Sequence, residues 1–571
     1  MKRVAQIARF DFLKADASIG GVWMALGGVT QVLVFLSLAV GLLVPLYSDE
    51  IAVHMSRARF LADDWQVLYL YPQCRQAITA GLQASLVPGA VLYSLIYGVE
   101  TAFGLRLVGV LVAVLCLAML WWWGGRLAQG ASARNSVRLI LLCLSAIGSL
   151  PMIMILTRGE QFQALCLIIF TLVPLYFSKP GESVGLGLVK SSGLVTLFSA
   201  MLYIHPKSLF FAPFAVVSIW ASLRYAHWGL RTFAVGVPLA MLVQIVPATF
   251  AATSCDNVPS LQAVLSGNVI DLRGASDIAD FSARLLYNLL AALALVPERV
   301  PLSADPQSFW LAKPLLFDGG LARFLAVGSG IRQLYIILLI SVPVTASWVV
   351  MRALVRLRLR LTHVLIAMML AGLLGHAAIY NPASWHFYTP GLMVPCLVLL
   401  IGMLLGDSVH QEWLARNQRA LSAIAAGCMG VFLVSAIQLA SYQLPALWIA
   451  NQGSFYTVPS QLLSTPLHLY DKAQLELDQL ASSCELGKAD SPHAVVDGVG
   501  YFYLAGSRAP MNALYVFELA YGNTVGDTRQ FLRKMNSAGV LSRCDYLPDS
   551  LKGLAKASGE MCCVSVKSLG D

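Results

Sequence analysis

The chain has 571 residues, of which 58% are hydrophobic and 12% charged, with a mean hydropathy of +0.70. Soluble globular proteins carry about a quarter charged residues; that deficit, with apolar runs of about twenty residues recurring along the chain, excludes a soluble enzyme, a disordered protein and a fibrous one. The 39 Lys+Arg against 30 Asp+Glu leave a net charge of +9, and in so apolar a chain the position of that excess says more about topology than about nucleic acid.

The first apolar run, 21–46, is longer than the roughly 7–15-residue core of a cleavable signal peptide. It follows Lys2, Arg3, Arg9 and Lys14, which predicts an uncleaved span with a cytoplasmic N-terminus. Further spans are expected near 105–123, 137–157, 161–177, 193–206, 208–223, 230–251, 331–351, 361–380, 386–406 and 420–443, about eleven crossings in all.

Basic residues test the alternation. Loops expected in the cytoplasm carry Arg126, Arg134 and Arg138; Lys179 and Lys190; Arg224 and Arg231; Arg352, Arg356, Arg358 and Arg360; Arg416 and Arg419. The short turns opposite carry only Arg158 and Lys207, and 381–386 carries none. The run at 86–104 is apolar enough to cross, but counting it would reverse every later loop, so a helix on or dipping into the outer interface is expected. The same reasoning makes 252–330 one long external segment, its apolar stretch 285–296 resting on membrane or protein, and places the chain after Tyr442 outside.

Three parts follow: a membrane domain over 1–445 with an unusually long first external loop at 47–104, the second external loop at 252–330, and a soluble extracytoplasmic region over 446–571. The last reads as mixed α/β, with helices near 466–483 and 527–538 and strands near 493–497 and 563–566. The fold class expected is an all-α polytopic membrane protein with a C-terminal α/β domain. Cys116, Cys143, Cys166, Cys396 and Cys428 fall in spans, whereas Cys74, Cys255, Cys484, Cys544, Cys562 and Cys563 fall in external regions. Disulfides among Cys484, Cys544 and one of Cys562 and Cys563 are expected in an oxidising compartment, with the pairing left open.

The sharpest chemical feature is Tyr47-Ser48-Asp49-Glu50, directly after the first span. Two carboxylates at a membrane surface are costly unless they face water, a metal or a basic partner. Such a carboxylate can act as general base towards an acceptor or hold a divalent cation, Mg or Mn, between Asp49 and Glu50. The plainer alternative is a helix cap, since Ser-Asp-Glu favours a helix N-terminus. His54, Arg57, Arg59, Asp63 and Asp64 follow, then Leu68-Tyr69-Leu70-Tyr71-Pro72. They suggest an amphipathic helix along the membrane surface with Arg57 and Asp64 directed to an external cavity, against a solvated loop as the alternative.

With this motif and loop the chain resembles the GT-C superfamily of membrane glycosyltransferases, which includes protein O-mannosyltransferases, lipid A aminoarabinose transferases and mycobacterial arabinosyltransferases. The resemblance covers the architecture of 1–445 and the acidic pair Asp49 and Glu50 just past the first span. It implies sugar transfer from a polyprenyl-phosphate donor to a cell-envelope acceptor at the outer face of a bacterial inner membrane, with Asp49 the catalytic base. No Trp-Trp-Asp-type motif occurs in the C-terminal region, which argues against the oligosaccharyltransferase branch.

The remaining external turns suit a lipid phosphate. Thr157-Arg158-Gly159-Glu160-Gln161, Tyr203-Ile204-His205-Pro206-Lys207 and Asn381-Pro382-Ala383-Ser384-Trp385-His386-Phe387-Tyr388 each join two spans with hardly any loop. If they converge, Arg158, His205, Lys207 and His386 form a basic cradle, with Glu160 and Tyr388 beside it. Each has a duller reading: Arg158 paired to Glu160, Lys207 snorkelling, Trp385 and Tyr388 in an interfacial belt. Arg106 and Arg323, near external span ends, are further candidates for the phosphate. No P-loop, zinc helix or Cys-x-x-Cys pair occurs, and charges inside the spans are scarce. Three rival readings stand: a lipid-linked oligosaccharide flippase or transporter, an O-antigen ligase or polymerase, and an assembly protein whose external domain recruits partners.

Overall fold

The computed structural model describes residues 21–47, 50–51, 54–55, 80–253, 275–304, 313–379, 389–407, 417–452, 456–457, 463–465, 467–486, 493–504, 510–512, 528–534 and 537–569. Ten helices among them are long and apolar enough to cross a membrane. With a sheet-containing C-terminal region they make the expected all-α polytopic membrane protein with an α/β domain.

The first helix, α1 (Gly21–Leu43), tightens into a 3₁₀ turn over Leu38–Leu43. Next come α2 (Ala80–Tyr97) and α3 (Ala102–Leu127), the latter capped by the Thr101 side chain. The run expected as one span at 137–157 is broken into α4 (Ala131–Ser145) and α5 (Leu150–Met154). Two residues cause the break. Gly148 takes a left-handed backbone (φ 63°), and Pro151 favours the first turn of a new helix.

Then follow α6 (Gly159–Tyr176), α7 (Val184–Ile204), a 3₁₀ turn over Pro206–Phe211, α8 (Ala212–Ser222) and α9 (Trp228–Thr253). Helix α7 starts nine residues before the expected 193. Ser183 caps it, and Lys190 reaches back to the Phe177 carbonyl (2.7 Å) and Glu182 (2.6 Å), so a lysine inside an apolar helix is satisfied at its end.

Where the sequence suggested only an apolar stretch at 285–296, a 22-residue helix, α10 (Ile278–Arg299), is present. Asp277 caps it and Asp280 pairs with Arg284; these charges hide its first turns from a hydropathy reading. The last membrane helices are α11 (Gly320–Val355), α12 (Leu361–Ile379), α13 (Thr389–Gly406) and α14 (Gln418–Gln438), which continues through a π turn into α15 (Leu444–Ala450).

The bundle has two unlike ends. At one, arginines lie over aromatic rings: Arg138 over Trp121 (4.0 Å), Arg126 over Trp122 (5.3 Å), Arg231 over Trp220 (3.4 Å) and Arg352 over Trp348 (5.1 Å). Here too His363 meets Asp407 (3.0 Å). At the other end the chain leaves α1, turns between α5 and α6, and turns again between α7 and α8.

That second end is covered by the C-terminal region. Strand β1 (Leu46–Tyr47) pairs antiparallel with β3 (Leu463–Thr465), which also pairs with β2 (Tyr456–Thr457). Helix α16 (Leu467–Ser483) precedes a five-stranded mixed sheet of β4 (Ala494–Val496), β5 (Pro510–Asn512), β6 (Gly539–Arg543), β7 (Lys556–Ser558) and β8 (Met561–Ser565). Its order is β5-β4-β6-β8-β7, with the β5–β4 and β4–β6 pairs parallel and the rest antiparallel.

Disulfides Cys484–Cys563 and Cys544–Cys562 pin this sheet, so both of the adjacent cysteines are used. The five cysteines expected in spans are free and buried; Cys74 and Cys255 lie outside the described residues. One apolar cluster joins Leu46, Ile51, Met55, Ala102 and Leu105 to Leu477, Leu480, Val496 and Leu541 of the C-terminal region.

Candidate functional site

The second end gathers charge. Arg106, in the first turns of α3, is fully buried together with Glu50. Its guanidinium spends all five N–H donors inside the protein. Nε donates to the Val44 carbonyl (3.1 Å), Nη2 to the Pro45 carbonyl (2.6 Å) and Glu50 Oε1 (2.9 Å), and Nη1 to Glu50 Oε2 (3.0 Å) and the Ile155 carbonyl (3.3 Å). Glu50 Oε2 also accepts from the Thr157 amide (2.8 Å) and the Thr157 hydroxyl (3.1 Å). Fork-on-fork pairing of this kind is the strongest form of charged hydrogen bond.

One turn further along, Glu160 sits between two cations. Lys207 Nζ approaches its Oε1 at 2.7 Å and Arg158 Nε its Oε2 at 3.3 Å. Glu160 is buried in the first turn of α6, where a carboxylate also complements the helix dipole. His205 caps the following 3₁₀ turn, its Nδ1 accepting from the Lys207 amide at 3.1 Å. That bond requires Nδ1 to carry no proton. Two cations thus share one carboxylate.

Below this cluster a small, mostly apolar groove opens between α3, α4, α5, α6 and α13. Arg158, Glu160 and Gln161 stand in its lining, and most of the rest is apolar, including Leu120, Ile153 and Val394. Gln161 locks the walls: its Nε2 donates to the carbonyls of Gly109 (2.6 Å) and Met154 (2.7 Å), and its Oε1 accepts from the Tyr97 hydroxyl (2.8 Å). Gly109 is required there, because a Cβ would run into the Ile155 carbonyl. His54 is buried beside Tyr93 and Tyr97, whose rings pack on Phe162.

No family model matches the chain, and no curated protein matches it. Solved structures do align. The archaeal oligosaccharyltransferase AglB from Archaeoglobus fulgidus, in complex with an inhibitory peptide and a dolichol-phosphate, matches over 90% of this chain and 69% of that one, at 12% identity and a TM-score of 0.40. The Archaeoglobus fulgidus oligosaccharyltransferase in the apo form matches over 91% and 70%, at 10% identity and a TM-score of 0.39. Its complex with Zn and sulfate matches over 90% and 68%, at 13% identity and a TM-score of 0.40.

Of the residues singled out in the sequence, Glu50, Arg158, Glu160, His205 and Lys207 are all placed at this one end of the bundle. Asp49, Arg57, Asp64, His386 and Tyr388 lie outside the described residues. Arg106 was expected to reach for a donor phosphate; instead its donors are taken by Glu50 and the carbonyls of Val44, Pro45 and Ile155. Among the described residues no group of three or more His, Cys, Asp or Glu gathers as a metal site. Glu50 gives its oxygens to Arg106 and Thr157. Gln161 was missed by sequence reasoning, since a neutral glutamine in the first turn of an apolar helix gives no signal until its three partners are seen.

Proposed function

We propose that the protein is a GT-C-type membrane glycosyltransferase that moves a sugar from a polyprenyl-phosphate donor to a cell-envelope acceptor. The observation that carries the reading is the groove: an apolar slot between helices whose charged lining is Arg158 and Glu160, with Lys207 bound to the same carboxylate. A polyprenyl phosphate has the matching form, an oily tail with an anion at its head. The tail lies in the slot, and the phosphate competes with Glu160 for Arg158 and Lys207.

Arg158 supplies bidentate donors and Lys207 a point charge. Both offset the negative charge that grows on the phosphate as the glycosidic bond breaks, a term that is usually large in catalysis. Asp49 removes the proton from the acceptor as it attacks the anomeric carbon; the polyprenyl phosphate leaves from the opposite face, and the configuration inverts. Outside the cytoplasm no nucleotide-sugar supply exists, which favours a lipid-linked donor. The reading places the site at the outer face of a bacterial inner membrane.

Purified protein incubated with a polyprenyl-phosphate sugar tests this. Transfer is expected, and Asp49→Ala should lower it by about 100-fold or more, the usual worth of a general base. Undiminished transfer by Asp49→Ala discards the base assignment. Absence of transfer with every lipid-linked sugar, together with movement of the lipid across vesicles, favours the flippase instead.

A further inference from the structure

We infer that Arg106 is a positioning residue: with Glu50 and Thr157 it clamps the start of the first external loop onto the turn that carries Arg158. The inference deepens the sugar-transfer reading and rests on it.

Three pieces of chain meet at one guanidinium. The end of α1 contributes the Val44 and Pro45 carbonyls, the first loop contributes Glu50, and the α5–α6 turn contributes the Ile155 carbonyl. Thr157 closes the ring by donating twice to the same carboxylate. Glu50 is thus tied to a residue adjacent to Arg158, and it is itself adjacent in sequence to Asp49.

On the other side of Asp49, Tyr47 is held in register with Ser464 by β1 and β3. The chain entering the catalytic motif is therefore fixed to the C-terminal region, and the chain leaving it to the phosphate turn. A helix of ordinary packing needs no such device. An arginine with every donor engaged, buried with its carboxylate, is costly to desolvate, and here that cost goes into tying three pieces of chain into one geometry.

The groove's walls have further ties of their own, through Gln161 and the Glu160–Lys207 pair. Loosening the clamp should therefore move the base relative to the bound donor without removing the donor. The expected signature is a loss in kcat with the donor KM preserved, because a displacement of about 1 Å at a reacting group can cost about 100-fold.

Two variants avoid an orphaned buried cation. Thr157→Val deletes one bond to Glu50 and leaves the backbone amide bond. Arg106→Lys keeps the charge but has three donors instead of five. Both are to be measured in the full-length protein by steady-state transfer and by hydrogen exchange over 44–51 and 153–160.

Both variants should exchange faster over 44–51, with Arg106→Lys losing about 10–100-fold in kcat, Thr157→Val losing less, and the donor KM staying within about twofold. Unchanged exchange over 44–51, or a rise in KM at unchanged kcat, overturns the clamp. If the wild type transfers no sugar, the sugar-transfer reading fails by itself; faster exchange over 44–51 then still supports the clamp, and unchanged exchange overturns it.

Discussion

Arg106 shows how a single residue can be legible as a type and illegible in its role. An arginine at the start of an apolar helix reads as a candidate for anionic headgroups, and nothing in one sequence indicates that its partner lies 56 positions earlier at Glu50. The acidic pair itself was visible because two carboxylates beside a span are conspicuous; that Glu50 is buried while fully paired was not. Removing the guanidinium leaves that carboxylate buried and uncompensated, so Arg106→Ala should destabilise the protein by about 3–5 kcal/mol. The double variant Arg106→Gln with Glu50→Gln, which buries no charge, should recover much of that loss. Thermal unfolding of the detergent-solubilised protein reads both, and a double variant no better than Arg106→Ala would remove the ion pair as the cause. Lys207 was legible as one cation of an external turn, and its pairing with Glu160 was not. Under the proposed function, Lys207→Met should raise the donor KM by about tenfold, near the lower end of what a charged hydrogen bond contributes, while kcat falls less. A Lys207→Met enzyme with wild-type donor KM would place the phosphate elsewhere.

Elements were read best where hydropathy is uninterrupted and worst where a local backbone contact overrides it. Helices α6, α12, α13 and α14 stand close to their expected limits because each is an unbroken apolar run. The break between α4 and α5, made by Gly148 and Pro151, was missed because what fixes it in place lies in distant chain. Gly148 donates its amide to Ser435 of α14 (2.6 Å), the Ser149 amide and hydroxyl donate to the Val300 carbonyl (2.8 and 3.1 Å), and a Cβ on Gly148 would strike that carbonyl. The break is therefore the socket for the end of α10. Gly148→Ala should cost at least the roughly 1–2 kcal/mol of a left-handed backbone for an L-residue, with the collision added. The measurable consequence is faster hydrogen exchange at the C-terminal turn of α10, around Val296–Arg299, ahead of the rest of the bundle. Exchange that rises uniformly through the bundle, or not at all, would show that α10 does not depend on this socket. In the C-terminal region, α16 and strands β4 and β8 were expected from their patterns; β6 and β7 were not, the first because its five residues are all buried and show no alternation, the second because it is short and exposed.

At the scale of the whole molecule, two independent marks distinguish the ends. One end carries the arginine–aromatic pairs and the basic turns around Arg126–Arg138, Arg224–Arg231 and Arg352–Arg360; the other carries the two disulfides, the clamp and the groove. Basic turns are retained on the cytoplasmic side, and disulfides persist where the compartment oxidises thiols. The two marks fall at opposite ends, in keeping with the proposed orientation, the basic end in the cytoplasm. In that orientation α2 and α10 begin and finish on the same side, for otherwise the basic turns after them would change sides. The prediction is a labelling pattern in intact cells. A membrane-impermeant maleimide should reach the partly exposed Cys544 from the outer side only after reduction, and a cysteine placed by Arg358→Cys should be reached only after the membrane is opened. Labelling of Arg358→Cys in sealed cells would mean that α10 or α2 crosses. Replacing both disulfides with serine should destabilise the C-terminal region by about 3–5 kcal/mol for the longer loop and somewhat less for the shorter, as a drop in its unfolding temperature. Because Leu46, Ile51 and Met55 pack into that same region, the loss should spread to the chain around Glu50 and, under the proposed function, lower sugar transfer, whereas a protein whose C-terminal region merely recruits partners would keep its activity after the bonds are removed.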